Sequence, residues 1–319
     1  MTAVSVITVS YRTGPVLGRS LRAALDQDDV AEVILVDNGN TDAVLAELHG
    51  LAAREPKLTI LSGHGNIGFA CACNLGAQHA TGEIFFFLNP DAVLPAGATR
   101  ELVREAKRSG AERWAIGPKL INPDGTEQQG SRRDVLTPWN AFVEASRLYK
   151  IAPRHPHFRR FNSHGTECRG DEVQKVPCLS GAAFLVPREA FEEVGGFDER
   201  YFLHVEDIDF FVRLSKLGAS ILFVPKVEVT HYKSSSRVDP LKIERRKKQS
   251  LNLYFATHYT GIYPKGFLTL LRGMLWLSFG FRAVKLRLKS FIGLCFFALR
   301  HGPRALARVR RWPVDKEAP

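Results

Sequence analysis

With 319 residues, 45% apolar and 24% charged, the chain has the balance of an ordinary globular protein, long enough for one large α/β domain plus an extension or for two small domains. Its net charge of +11 is uneven: from Gly261 onward twelve Lys/Arg stand against two acids, so residues 1–260 are close to neutral. Five cysteines, an odd number without zinc-type pairing, speak against a disulfide framework and for a reducing cytosol.

The opening MTAVSVITVSY lacks a basic leader and a cleavage site, and Val4–Val9 reads as a buried parallel strand. Leu17, Leu21 and Leu25 then share one helical face. A second apolar strand, Glu32–Val36, runs into Asp37-Asn38-Gly39-Asn40. Helix Ala43–Arg54 and strand Leu58–Leu61 repeat the unit. A glycine-rich stretch, Gly63–Gly82, turns helical in its second half, and strand Glu83–Leu88 stops at Asn89-Pro90-Asp91. Alternating β and α with continuously apolar strands predicts a doubly wound, mostly parallel sheet, in which ligands bind beyond the carboxyl ends of the strands. Tyr11, Asp37, Asn66 and Asp91 all fall at such ends. Asp37 could equally close an Asp-Asn-Gly turn, and Asp91 could cap a helix starting near Pro95. No P-loop pattern, G-x-x-x-x-G-K-[ST], is present, which counts against P-loop enzymes.

Trp114–Gly130 reads as strand and turn. Residues 131–175 are polar and irregular, as lids and binding loops are. His155, His157 and His164 within them have no companion ligands and read as solvated. Val176–Phe191 gives a strand, a small-residue turn at Ser180-Gly181-Ala182, and a short helix. The next stretch, Gly195–Gly218, places Glu206, Asp207 and Asp209 at the start of a helix marked by Phe210, Phe211, Leu214 and Leu217. Acids there suit the helix dipole, and they equally suit a desolvated general base approached along Phe197, Tyr201 and Phe202. Strand Ser220–Val224 continues through Pro225 to Val227–Thr230 and His231.

In this order VITVSYRTG, LVDNGNTD, GNIGFACACNLGAQHATGE, FFFLNPDA, and SGAAFLVPREAFEEVGGFDERYFLHVEDIDFFVRL with VTHYKSSS resemble the family 2 inverting glycosyltransferases of the GT-A fold. The resemblance spans about residues 4–260. It is nearest to the branch containing rhamnosyltransferases and galactofuranosyltransferases of bacterial surface polysaccharides. It implies a Rossmann-like nucleotide-binding half and a nucleoside-diphosphate sugar donor. Tyr11 and Asp37 would line the nucleoside pocket; Asn66, Gly68, Phe69 and Asn74 would flank the nucleotide and diphosphate. Asn89 and Asp91 stand at the family's Asp-X-Asp motif. Asp91 and His231 would hold a divalent cation, Mg or Mn. Ser180, Gly181 and Ala182 would form part of the acceptor or sugar subsite, with Arg213 pairing with the acids or with phosphate. Asp207 would be the base, supported by Glu206 and Asp209. Asn89 for the first Asp lowers the charge at the metal site, and Ser234 replaces a common Gly. Cys71 and Cys73, two apart on a helix, point to different faces and read as core residues. The resemblance further implies a dTDP or UDP donor, rhamnose from dTDP-rhamnose foremost, and a lipid-linked or polysaccharide acceptor. A catalytically silent sugar-nucleotide-binding scaffold and a nucleotide-sugar hydrolase are the rival readings.

Residues 1–260 thus read as the catalytic domain and 261–319 as a basic helical tail. Two apolar runs, GFLTLLRGMLWLSFGF and SFIGLCFFAL, are split by RAVKLRLK, and neither reaches the eighteen or so uncharged residues that a bilayer span requires. Interleaved apolar and basic side chains suggest helices lying on an anionic membrane surface at the cytoplasmic face; an oligomerisation or core-packing subdomain fits the same pattern. No nucleic-acid motif accompanies the charge.

Overall fold

The computed structural model describes residues 3–151, 155–158, 161, 170–233 and 238–301, with side chains described as far as 288; His164, Cys168 and Ser234 lie outside these residues. The first half alternates as expected: β1 Val4–Ser10, α1 Val16–Leu25, β2 Val30–Asp37, α2 Asp42–Ala52, β3 Leu58–Leu61, α3 Phe69–His79 and β4 Ile84–Leu88. β5 Ala92–Val93, α4 Ala98–Arg108 and β6 Trp114–Ile121 follow, then β7 Arg132–Arg133, α5 Pro138–Ser146, α6 Leu148–Ile151, β8 Gln174–Lys175 and β9 Cys178–Leu179. The chain continues as β10 Ala183–Pro187, α7 Arg188–Glu193, α8 Glu206–Lys216, β11 Ser220–His231, α9 Pro240–Tyr259 and α10 Lys265–His301.

The main sheet runs β3-β2-β1-β4-β10-β6-β11-β5, with β8 on the flank of β11. β3, β2, β1 and β4 are parallel, as are β6 and β11, while β10 lies antiparallel between the two groups. Period-two alternation sends Ile84, Phe86 and Leu88 to the side covered by α1, α2 and α4. Phe85 and Phe87 go to the opposite side, where Phe184, Phe191, Phe197, Phe210 and Phe211 form one aromatic mass. Phe197 sits 5.1 Å from Phe87 and 4.9 Å from Phe210, so the helix carrying the three acids is riveted to the sheet centre.

Three sequence expectations change. The polar segment 131–175 contains α5, whose Thr137 caps the Asn140 amide at 3.2 Å while the Asn140 side chain returns to the Thr137 amide at 2.9 Å, a reciprocal cap with Pro138 at the first turn. Pro225 does not divide the last strand; the register against β6 slips between Val224 and Glu228 instead. The two apolar runs of the tail join in one helix, and Lys265–Leu288, 24 residues containing an 18-residue stretch of mean hydropathy 1.3, is long and apolar enough to cross a membrane by length and composition. Its first turns are nonetheless docked: Leu271 and Leu275 are buried in the core, and Phe267 stacks on Tyr263 and packs against Trp139 and Phe142 of α5. Leu270, Leu277, Phe281, Val284 and Leu288 form the opposite, exposed face.

Candidate functional site

Strand register gathers the expected residues on one sheet edge. Ser10 pairs with Asp37, Ala183 with Leu88, and His231 with Ala92, so Tyr11, Asp37, Asn89–Asp91, Ser180–Ala182 and His231 lie along one end of the sheet.

At the nucleoside end, Asp37 Oδ1 accepts the Asn40 backbone amide at 3.0 Å and its side-chain amide at 2.6 Å. Asn40 in turn accepts the Arg12 amide at 2.8 Å. One carboxylate oxygen therefore closes the turn, and Oδ2 is left over for a ligand. Tyr11 packs on Gly39, where an added Cβ would stand 3.4 Å from the ring. Asn38, which sequence reasoning passed over, donates to the Gly68 carbonyl at 3.0 Å and keeps a buried Oδ1 without a partner.

The Asn66–Phe69 loop is shaped by its own residues. Asn66 Oδ1 accepts the Gly68 amide at 3.2 Å, and Gly68, with φ 90°, abuts Phe202 so closely that a Cβ would lie 2.9 Å from its carbonyl oxygen. The Phe69 amide donates to that same carbonyl at 2.8 Å. Asn74 spends its amide on the Gly195–Glu199 turn, accepting from the Phe197 amide at 2.9 Å and donating to the Phe197 carbonyl at 2.8 Å and to Glu199 at 3.0 Å.

Asp91 and His231 face each other at 3.1 Å, Oδ1 to Nε2, and Asn89 Nδ2 lies 3.4 Å from the same ring nitrogen. Gln128 sets the imidazole's orientation. Its Nε2 donates to the His231 carbonyl at 3.1 Å and to Asn122 at 3.0 Å, so its Oε1 must accept from His231 Nδ1–H, at 2.6 Å. Nε2 thereby faces Asp91 while an oxygen acceptor holds Nδ1, the orientation that metal-binding histidines use. Among the described residues no group of three or more His, Cys, Asp or Glu converges. A carboxylate and an imidazole suit a divalent cation that completes its shell with phosphate oxygens and water.

Asp207 is 6% exposed. Its Oδ2 accepts the Gly181 amide at 3.0 Å and the Arg133 guanidinium at 2.9 Å, and its Oδ1 accepts the Ile208 amide at 2.9 Å. The small residue at 181 is dictated by this approach: a Cβ there would lie 2.9 Å from Asp207 Cβ. Glu206 turns inward. Burial first, then the Asp207 charge, pushes its carboxyl from the ordinary 4.5 to about 8, and its Oε2 has no partner. Asp209 is wholly buried, held by Arg213 Nε at 2.7 Å and His258 Nε2 at 2.7 Å. Arg213 also donates to the Val194 carbonyl at 2.8 Å, so of the partners the sequence allowed it, the structure gives it an acid. Immediately before these acids, His204 and Val205 both adopt left-handed backbone, φ 66° and 73°, rare for non-glycine and costly for a β-branched residue.

Arg133, Gln128 and His258 are the contributors that sequence reasoning missed. Arg133 and Gln128 come from an irregular stretch with no motif of its own. His258 sits on a helix that looked merely terminal.

Comparison with known proteins gives a consistent placement. Residues 5–195 match a family model described as Glycosyl transferase family 2. The N-acetylglucosaminyl-diphospho-decaprenol L-rhamnosyltransferase of Mycobacterium tuberculosis (strain ATCC 25618 / H37Rv) is 30% identical over 287 residues, 85% of this chain and 89% of the relative. Rhamnosyltransferase WbbL of Escherichia coli (strain K12) is 42% identical over 57 residues, 18% of this chain and 22% of the relative. Among solved structures, the mannosyltransferase PcManGT from Pyrobaculum calidifontis, in complex with GDP-Man and Mn2+, is 19% identical with a TM-score of 0.54, covering 98% of this chain and 88% of that one. GalNAc-T7 with UDP, GalNAc and Mn2+ is 18% identical with a TM-score of 0.58, covering 85% of this chain and 54% of that one. These likenesses show the fold.

Proposed function

The chain belongs to glycosyl transferase family 2, and from that premise we propose an inverting, divalent-cation-dependent transfer of L-rhamnose from dTDP-rhamnose to a hydroxyl of a lipid-linked sugar diphosphate. Glycosyl transfer in cell-surface glycan synthesis follows from the family and from the relatives that share most of the chain. The choice of rhamnose and of the acceptor rests on the names of those relatives.

The observation that carries the chemistry is that one turn touches two differently built centres: the Ala182 carbonyl accepts the Asn89 amide at 2.7 Å, and the Gly181 amide donates to Asp207 at 3.0 Å. Asp37, with Tyr11 beside it, receives the nucleoside, and Asn66, Gly68 and Phe69 wall the diphosphate. Asp91 and His231 would hold the cation, which when bound neutralises charge on the departing diphosphate. On the other side Asp207, fixed by the Gly181 and Ile208 amides, takes the proton of the incoming hydroxyl. Attack from the face opposite the leaving group inverts the anomeric centre in one displacement, so a single base is enough. Ser180 and Ala182 border the sugar beside it.

Residues 1–260 carry this chemistry, and 261–319 hold the enzyme to the cytoplasmic face of the membrane. Residues 265–289 contain six Lys/Arg and no acid, and their exposed apolar face complements an anionic lipid surface. Burial of Leu271 and Leu275 against the catalytic domain fits a helix lying on the surface better than one spanning it.

Calorimetric titration of dTDP and UDP, each with and without Mn2+, tests the donor side. Tight, cation-dependent binding of dTDP is expected. Preference for UDP would move the reaction to another sugar, and metal-independent binding would remove the cation. Failure of both nucleotides to bind would overturn the catalytic reading.

A further inference from the structure

The base that the mechanism needs is already occupied. Arg133 Nη1 stands 2.9 Å from Asp207 Oδ2, an ion pair that covers the oxygen an incoming hydroxyl would have to reach. Two arginines lie side by side on β7 with different fates. Arg132 is 5% exposed, its guanidinium over the Phe223 ring at 4.9 Å, while the Arg133 side chain remains 23% exposed. β7 pairs with β9 so that Arg133 lies opposite Cys178, two residues before Ser180, and Arg133 Nε anchors on the Gly130 carbonyl at 3.2 Å. The guanidinium is thus brought to the acceptor rim on a strand tied to the acceptor turn.

The charges around it are one-sided. Lys233 is close enough for the Arg133 charge, after burial, to lower its ammonium. Burial first, then Lys247 and, more weakly, Arg133, pushes the His204 imidazole down to about 4 against the opposing charges of Asp207 and Glu244. Glu244 is paired with Arg282, Asp209 is matched by Arg213 and His258, and burial raises the Glu206 carboxyl, which leaves Asp207 as the counter-ion of Arg133.

Resting on the transferase reading above, we propose that Arg133 is an acceptor-phosphate receptor that guards the base. In the acceptor-free enzyme it sits on Asp207; a phosphate or diphosphate adjoining the acceptor sugar draws it away, and Asp207 is released to take the hydroxyl proton. A guanidinium presents the planar fork that phosphate oxygens match, so the exchange trades one charge-assisted contact for another. An uncharged acceptor offers no such exchange and meets a base that is still paired.

The test compares two acceptors with the full-length enzyme: a short-chain alkyl diphosphate of N-acetylglucosamine and the uncharged octyl glycoside of the same sugar. The wild type should prefer the diphosphate by at least tenfold in kcat/KM. Arg133→Gln should lose at least tenfold on the diphosphate, chiefly through acceptor KM, and should gain on the uncharged glycoside. That opposite sign is the decisive result, because a residue that merely props up Asp207 would lower both. Equal loss on both acceptors overturns the proposal, as does a rise in donor KM, which would assign Arg133 to the donor phosphates. Calorimetric binding of the same two compounds without donor separates this subsite from the transferase reading. A diphosphate preference that disappears in Arg133→Gln supports it even if no sugar is moved. Equal binding of both compounds, or of neither, sinks it.

Discussion

At the scale of single residues, three neighbouring acids receive three different fates from their surroundings. Asp207 accepts hydrogen bonds at the crevice, Glu206 is buried beside it, and Asp209 is neutralised by a cation and an imidazole. Asp207→Asn keeps the shape and most of the hydrogen bonds but loses the base. Turnover should fall about 10²–10⁴-fold while donor affinity stays near normal; parallel loss of donor affinity would assign Asp207 elsewhere. Glu206 makes a prediction about stability. Its folded pKa of about 8 lies above the ordinary 4.5, so its contribution is fully present below 4.5 and is lost as pH rises toward 8. Glu206→Gln cannot ionise, and its melting temperature should decline less than that of the wild type between about pH 5 and pH 8 in parallel thermal scans. Superimposable pH profiles would show that the carboxyl ionises freely. The local pattern marked all three acids and only the family resemblance set Asp207 apart, because burial depends on Phe197, Phe210 and α9 arriving from elsewhere. Arg133 carried no local signal at all.

Among the elements, helix α9 is inconspicuous in sequence yet braces the segment that leads into the three acids. Ser250 donates to the Leu203 carbonyl at 3.0 Å, the Arg246 guanidinium lies 4.1 Å from the Phe202 ring centre, and His258 reaches Asp209. The left-handed pair His204–Val205 is therefore gripped on one side by α9 and on the other, through Phe202, by the Gly68–Phe69 loop. His204→Gly would ease the backbone by about 1 kcal/mol and should raise the melting temperature by about 2 °C. It should also lower kcat, because the joint that aims Asp207 loosens. A more stable variant of unchanged kcat would show that the strain has no positioning role. Strand and helix order in the first half was readable because buried parallel strands are continuous apolar runs and their helices carry a 3.6 period. α5 was missed because the polar segment around it drowned the Thr-Pro-x-Asn signal. The antiparallel setting of β10 is a matter of long-range pairing, which no local pattern records.

For the whole molecule, the boundary between catalytic domain and tail falls within the packing and not between two bodies. A cut at residue 264, natural from the composition, removes Leu271 and Leu275 from the core at about 1.5–3 kcal/mol each. Deletion of 264–319 should therefore destabilise the enzyme, whereas deletion of 277–319 keeps Phe267, Leu271 and Leu275 in place. The shorter deletion should leave the melting temperature nearly unchanged while the protein no longer co-sediments with vesicles containing anionic lipid. Undiminished co-sedimentation would end the membrane assignment. The sequence displayed the charge asymmetry plainly, but the docked face of α10 depends on α5 and on the core beneath it, so it could not be told from the free face.

The pairing of His231 with Ala92 also bears on how the protein comes into being. Asp91 and His231 are 140 residues apart in the chain, and β5 and β11 lie beyond β10 and β6 from the first four strands. A nascent polypeptide can complete those four parallel strands while still lacking His231. With the cation site proposed above, sugar-nucleotide capture would be a late event in synthesis, postponed until residue 231 has left the ribosome and joined the sheet. A cellular pool of donor and cation would then act as a clasp on the finished sheet and penalise its reopening.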